Sequence, residues 1–260
     1  MIIGMIRYAV GVKTGEFAKN SKQLLNLYKD PYFSDRFKIF CNITLPSFAQ
    51  QTCKDFILLT YHTNLIPQDK KKLFDKLEIK YPFLRNIYIE DDKLIIPKDL
   101  QQEKLLTFRI DNDDGIVTNF IEKLQNIYET SKDINFAISM PMLRKVMRIN
   151  KNEYKTISFE YPLKTHSMGL AYFSNNNKTI MDLGMHTKIT ERVPLKLLEG
   201  HGGLQIINGY NVGNVIGSAK AILNKKDLHN LLIKEGYADL NLSYLPIVEN
   251  KDKKRNDWDY

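Results

Sequence analysis

Asp111, Asp113 and Asp114 place three carboxylates within four residues, with Asn112 among them and Gly115 after them. Crowded like charges repel and raise one another's proton affinity, unless a cation sits among them or water screens them. Carboxylate and amide oxygens are hard ligands suited to Mg or Mn, and a metal held by them commonly keeps open positions for substrate phosphates. The preceding run, Leu105-Leu106-Thr107-Phe108-Arg109-Ile110, is apolar and β-favouring, so the cluster reads as the end of a buried strand. Alternate residues leave one face of a strand. Asp111 and Asp113 are therefore expected to converge on one metal, with Asp114 extending the ligand set. Arg109, on the same face, can neutralise the carboxylates or touch the ligand, and a structural ion pair is its plainer role. The chemistry implied is a strand end that delivers a metal to a phosphate.

Two blander readings compete. One is a solvated Asp-rich turn with no ligand. The other is an EF-hand calcium loop, which needs ligands at its first, third and fifth positions, Gly at the sixth and Glu at the twelfth. Counted from Asp111, Glu122 falls twelfth, but Gly115 takes the fifth place and Ile116 the sixth. The apolar spacing Ile116, Phe120, Leu124, Ile127, Tyr128 also predicts a helix over 116–130 that runs straight through Glu122.

The elements that must position this cluster can be read upstream. Strands are predicted at 5–10, 55–61 and 87–89, with helices at 33–44 and 69–77 and a short helix at 48–51 after Pro46. Strand, helix, strand, helix, strand, then a carboxylate-tipped strand and another helix indicates an α/β fold with a mostly parallel, Rossmann-like sheet flanked by helices. Ligands of such sheets bind beyond the carboxyl ends of the strands, where the carboxylates lie. Arg7, inside the first strand, is expected either to be paired or to sit at the strand's end within reach of a ligand. Further on, 134–140 and 170–173 read as strands and 146–159 as a hairpin turning at Asn150-Lys151-Asn152. Asp227 is expected to cap a helix over 228–235 that Gly236 ends.

The chain has 260 residues, 43% of them hydrophobic, enough for one sizeable α/β domain. No 18-residue apolar run and no signal-peptide pattern is present, so a cytoplasmic protein is expected. Cys41 and Cys53 lack metal-ligand spacing and read as reduced thiols. The net charge of +8 and pI near 9.2 suggest an anionic partner. No nucleic-acid-binding motif is found, so nucleic acid is not the expected partner.

Three runs carry a resemblance. Leu45-Pro46-Ser47-Phe48-Ala49-Gln50-Gln51-Thr52-Cys53-Lys54-Asp55-Phe56 resembles an early "LPS…QT…DF" segment of glycosyltransferases with the GT-A fold. Arg109-Ile110-Asp111-Asn112-Asp113-Asp114 is similar to their DxD motif, in the "RxDxDD" form of a rhamnosyltransferase-like family of bacterial surface-glycan enzymes. A third run, Gly203-Leu204-Gln205-Ile206-Ile207-Asn208-Gly209-Tyr210-Asn211, is similar to that family's "WLQVxHGxN" segment. Gly203 stands where the family has Trp, and Asn208 where it has His.

The resemblance implies a GT-A mixed sheet flanked by helices with the DxD motif at a strand end. Residues 1–115 would form the nucleotide-sugar-binding half, 116–245 the acceptor-binding half of the same domain, and 246–260 a charged tail. It implies a metal-dependent hexosyltransferase that moves a sugar from a nucleotide-diphosphate donor, dTDP-rhamnose or a UDP-linked hexose or galactofuranose. The acceptor would be a surface polysaccharide such as lipopolysaccharide, or a lipid-linked glycan. Asp111, Asp113 and Asp114 would bind Mn or Mg, and Arg7, Arg109 and Asp111 the donor. Asn208, His201 or water would complete the metal.

Near the third run, Glu199-Gly200-His201-Gly202-Gly203 joins a carboxylate, an imidazole and a flexible loop. Glu199 and His201 are the candidate catalytic pair, Glu199 as the base that deprotonates an acceptor hydroxyl. His186 and His166 follow as candidates. Gly209, Gly213 and Gly217 lack a P-loop ending and read as close packing or a loop. The tail is basic with Trp258 and Tyr260, and either hangs free or rests peripherally on an anionic membrane. A metal-dependent nucleotidyltransferase and a non-catalytic basic binding protein are the alternative functions.

Overall fold

The computed structural model describes residues 1–10, 21–90, 93–162, 164–175, 177–209 and 221–248. In chain order the first half gives β1 (Ile2–Ala9), α1 (Ser21–Asn26), α2 (Tyr32–Ile39), α3 (Leu45–Ala49), β2 (Ile57–Thr63), α4 (Gln68–Lys80), β3 (Leu84–Ile89), β4 (Lys104–Arg109), β5 (Gly115–Ile116) and α5 (Phe120–Thr130). The second half gives β6 (Phe136–Ser139), β7 (Met142–Arg148), β8 (Glu153–Glu160), β9 (Leu170–Asn175), β10 (Leu195–Leu197), β11 (His201–Ile207), β12 (Ala221–Asn224) and α6 (Lys225–Lys234).

β1 is buried on both faces because its neighbours cover both. Ile2 and Ile6 join the core beneath α2, α3 and α5, while Ile3 and Met5 join a second core with Leu59, Tyr61 and Leu105. Around β1 the seven-stranded sheet runs β10-β6-β9-β4-β1-β2-β3. β3, β2, β1 and β4 are parallel, and β9 lies antiparallel between β4 and β6. This is the α/β mixed sheet flanked by helices that the resemblance implied, and it is mostly parallel, as the strand and helix order indicated. A smaller five-stranded sheet, β12-β8-β7-β11-β5, is built from the strands of the second half and β5. The hairpin expected at 146–159 is its antiparallel β7–β8 pair.

The chain passes from one sheet to the other at the acidic cluster. β4 leaves the large sheet at Arg109, and β5 enters the small sheet at Gly115, pairing antiparallel with Gly203 and Leu204 of β11. The helix expected over 116–130 therefore begins only at Phe120, since Gly115 and Ile116 are taken by strand pairing. Its buried face, Phe120, Ile121, Leu124 and Ile127, is the predicted one. Glu122 accepts a hydrogen bond from Thr52 Oγ1 at 2.7 Å, so it is no calcium ligand of a loop starting at Asp111.

The helix expected to stop before Pro46 instead continues. A π-helical turn over Phe40–Thr44, closed by the Leu45 amide on the Phe40 carbonyl, carries α2 into α3. Proline lacks an amide hydrogen and its ring collides with the carbonyl four residues back, and widening the turn removes both problems. At α6, Asn224 is the cap: its side-chain Oδ1 accepts from the Asp227 backbone amide at 2.9 Å, and its Nδ2 donates to the Asp227 carboxylate at 2.7 Å. Asp227, the expected cap, is instead the third helical residue, held by the cap's side chain.

The "LPS…QT" run has a mechanical role. Ser47 Oγ accepts from the Ile116 amide at 3.3 Å. Gln51 donates to the Val117 carbonyl at 2.7 Å and accepts from the Ile121 amide at 3.0 Å. These bonds fix the chain just after the acidic cluster. Residues 11–20, 210–220 and 249–260, with the expected polar segment, Gly213, Gly217 and most of the tail, lie outside the described residues.

Replacing Gln51 by Leu leaves the buried Ile121 amide without its partner and takes one of two donors from the Val117 carbonyl, which keeps the Phe120 amide, and should cost about 1–3 kcal/mol in equilibrium urea unfolding. A loss below about 0.5 kcal/mol would show that the amide does not anchor the segment.

Candidate active site

The carboxylates project from a turn. The Asp114 amide donates to the Asp111 carbonyl at 3.3 Å, closing the turn two residues after β4 has ended. The strand alternation expected to align Asp111 with Asp113 therefore does not order them; individual hydrogen bonds do. Ser167 Oγ donates to Asp111 at 2.8 Å. The Asn208 amide nitrogen donates to Asp113 at 2.8 Å, and the Arg36 guanidinium lies 3.5 Å from the other Asp113 oxygen. The Ile206 amide donates to Asp114 Oδ1 at 3.3 Å. Arg36 also donates to Asn112 Oδ1 and, at 2.6 Å, to the Tyr32 hydroxyl oxygen. Thr44 Oγ1 holds the Asn112 carbonyl at 3.2 Å. Asn112, Asp113 and Asp114 are buried and Asp111 is partly exposed, so Asp111 faces the opening.

Burial and mutual repulsion act on the three carboxyls unequally. Burial pushes Asp114 well above the ordinary carboxyl range, and Asp113 and Asp111 add to it. Burial also raises Asp113, outweighing the opposite pull of Arg36, with Asp111 adding its repulsion. Burial works to raise Asp111 as well, but Arg109, then Ser167, Arg7 and Arg36, overcome it and hold that carboxyl below its ordinary value. Arg109 itself is pushed down to about 10 by burial, against the pull of Asp111 and with Arg7 adding to the drop, and its Nε has no hydrogen-bond partner. The site thus sets three guanidiniums, Arg7, Arg36 and Arg109, around three carboxylates.

Arg7 and Arg109, the expected donor ligands, come together here because β1 and β4 are adjacent parallel strands with Met5 opposite Arg109. Of the candidate histidines, the fold brings His186 into the field of Asp111, Arg109 and Arg7; burial and the two arginines lower its proton affinity against Asp111's pull. His166 is a packing group. Its Nε2 donates to the Met140 carbonyl at 2.8 Å, its Nδ1 accepts from the Met168 amide at 3.1 Å, and burial lowers it to about 4.

Glu199 and His201, the expected catalytic pair, are not brought to the carboxylates. His201 opens β11, while Asn208 follows its last residue, and the six strand residues between them set the two roughly 20 Å apart. There His201 Nε2 lies 2.8 Å from Ser158 Oγ and 3.6 Å from Glu235, which forms a two-pronged ion pair with Arg144. Glu199 is exposed, and its backbone carbonyl accepts from Lys123. Adjacency in sequence misled because a strand carries its two ends to opposite edges of a sheet.

The site also holds groups that the sequence reading passed over: Arg36, Tyr32 and Ser167. Arg36 had one signal, a charged residue amid the aromatic helix face of Phe33, Phe37 and Phe40. Gly203 also finds its reason. A Cβ there would lie 2.5 Å from Met168 Cβ, so Met168 fills the space a larger residue would need.

Among the described residues, no three His, Cys, Asp or Glu side chains are grouped so as to hold a metal ion. Asp111, Asp113 and Asp114 are thus no ready-made cage. Their hard oxygens fit Mg or Mn held by one or two carboxylates, with substrate phosphate and water in the other positions. Asn208 offers Asp113 its N–H, so it braces that carboxylate through its nitrogen.

The family described as "Putative rhamnosyl transferase" matches residues 1–219, most of the chain. The chain belongs to this family. Nothing among curated proteins matches it. Among solved structures, S. aureus TarS is similar over 80% of this chain and 37% of its own, at 12% identity and a TM-score of 0.46. TarS residues 1–349 in complex with UDP align over 80% of this chain and 61% of theirs, at 11% identity and a TM-score of 0.46. The chain therefore spans less than two thirds of either structure's length.

A carboxyl whose proton affinity rises on folding favours the fold when protonated, and loses that contribution as pH rises through its folded pKa. Asp114 is such a group. Asp114→Asn, which can still accept from Ile206, should raise the melting temperature at about pH 8, with the gain shrinking toward about pH 5. A variant no more stable than wild type at the higher pH would show that this carboxylate carries no repulsive strain.

Proposed function

We infer that the protein is a glycosyltransferase that takes its sugar from a nucleotide-diphosphate donor, whose diphosphate binds at the Asp111–Asp114 turn together with Mg or Mn. The observation that carries the reading is the arrangement of Arg7, Arg36 and Arg109 around three carboxylates at the carboxyl ends of β1 and β4. Such ends are where open α/β sheets bind ligands. With all three carboxyls ionised the formal charge there is three against three, so a dianionic diphosphate and a divalent cation can enter together without changing the balance. A diphosphate alone, or a metal alone, would upset it.

In this reading Asp111 and Asp113 hold the ion, and Asp114, fastened to the β11 backbone, keeps the turn in shape. Stabilisation of the charge that grows on the departing diphosphate is what a divalent ion supplies when bound there. Ser167 orients Asp111 at the partly exposed side of the cluster, and Arg7 and Arg109 present fixed positive charge to the leaving group. The family description supports dTDP-rhamnose as donor, with UDP-linked hexose or galactofuranose as the other sugars the same carboxylates would serve. The proposed acceptor is a surface polysaccharide or lipid-linked glycan, met at the cytoplasmic face of the membrane. Among the described residues no helix is long and apolar enough to cross a membrane.

The test is product analysis with dTDP-rhamnose, UDP-glucose, UDP-galactose and UDP-galactofuranose, each with manganese. One donor should yield free nucleoside diphosphate, and Asp113→Asn should slow that release by about a hundredfold while melting normally. Release of nucleoside monophosphate or pyrophosphate would point to nucleotidyl transfer instead, and unaltered turnover in the variant would move the donor site elsewhere.

A further inference from the structure

We propose that Arg36 occupies Asp113 in the absence of donor, excludes the divalent ion from that carboxylate, and passes to the donor's diphosphate when the two ligands bind together. The inference rests on the reading above and gives a task to Arg36, which that reading only counts among its three arginines.

Arg36 is the one cation that the described residues place within 4.0 Å of a carboxylate of the turn, at 3.5 Å from Asp113. Its guanidinium is only partly engaged. One terminal nitrogen binds the Tyr32 hydroxyl, and the other serves Asn112 and Asp113. Nε is buried with no hydrogen-bond partner. A buried N–H donor left unpaired costs free energy, and a phosphate oxygen would repair it. The side chain still keeps 18% of its exposure, so it borders the space that a ligand enters.

Arg36 stands on α2, one turn beyond Tyr32, and the π-helical turn that follows is fixed to the acidic loop through Thr44 and the Asn112 carbonyl. The guanidinium can therefore change partners without the helix leaving the turn. Asp113 must likewise exchange an arginine for a metal. Both exchanges are unfavourable singly, because each takes the Arg36–Asp113 attraction from a buried charge and puts no opposite charge in its place. Together they keep every charge paired. The consequence is that metal and nucleotide bind with strong mutual dependence.

The experiment measures free manganese by electron paramagnetic resonance, and nucleotide affinity by calorimetry with UDP and dTDP, for wild type, Arg36→Gln and Arg36→Lys. Without nucleotide, Arg36→Gln should bind manganese about tenfold more tightly than wild type. With manganese present, it should bind the nucleoside diphosphate about tenfold more weakly. Arg36→Lys keeps the charge and loses the fork, so it should resemble wild type toward manganese and bind nucleotide less well. Effects of opposite sign distinguish this role from a structural one, which would weaken both ligands alike. If both affinities fall, or neither changes, in a variant of a wild type that does bind nucleotide, the inference is overturned and the donor site stands. If Arg36→Gln does not fold, undiminished nucleotide binding by Arg36→Lys overturns it as well. A wild type that binds neither nucleotide with manganese present overturns the donor reading and this inference with it.

Discussion

Repulsion among three carboxylates held in one turn is the constraint to which the rest of this molecule answers. Asp113 and Asp114 are buried, and a chain that buries unpaired like charges pays for it in stability unless cations and hydrogen bonds surround them. Here the surroundings come from widely separated parts of the chain: Arg7 from β1, Arg36 from α2, Arg109 from β4, Ser167 from the segment before β9, and Asn208 from the end of β11. Asn208 reaches the turn only because the two sheets meet there.

That meeting is itself a product of short-range chemistry. Pro46 is accommodated by a widened helical turn, and the helix beyond it presents Ser47 and Gln51 to the backbone just past the acidic cluster. β5 is too short to hold itself in place by strand pairing alone, and these side chains supply the missing anchors. The run that resembles glycosyltransferases upstream and the acidic run downstream thus form one mechanical unit. Their order in sequence reflects contact in space.

Much of this was legible in the residues. Alternating and continuous apolar runs located β1, β2 and β4, and the parallel order around them follows from the intervening helices. The acidic cluster announced itself because like charges so close together demand an explanation. Less could be read of what surrounds it. Arg36 carries no motif of its own, and only the fold shows that an arginine on an aromatic helix points at Asp113. Glu199 and His201 looked catalytic by their neighbours in sequence, yet β11 carries them to the far edge of the small sheet. The turn at Asp111–Asp114 was taken for a strand end because residue types favour β structure up to Ile110. Where β4 stops is decided by its partners, since β1 pairs with it only as far as Arg109.

The most direct test of the central claim is calorimetric titration with UDP, dTDP, GDP and CMP, each with and without manganese, on wild type and on Asp113→Ala. The account predicts that one nucleotide binds, that manganese is required, and that the substitution abolishes binding while the protein still unfolds cooperatively. Failure of all four to bind with manganese present, or binding that survives the loss of Asp113, would contradict it and leave the acidic turn a structural feature.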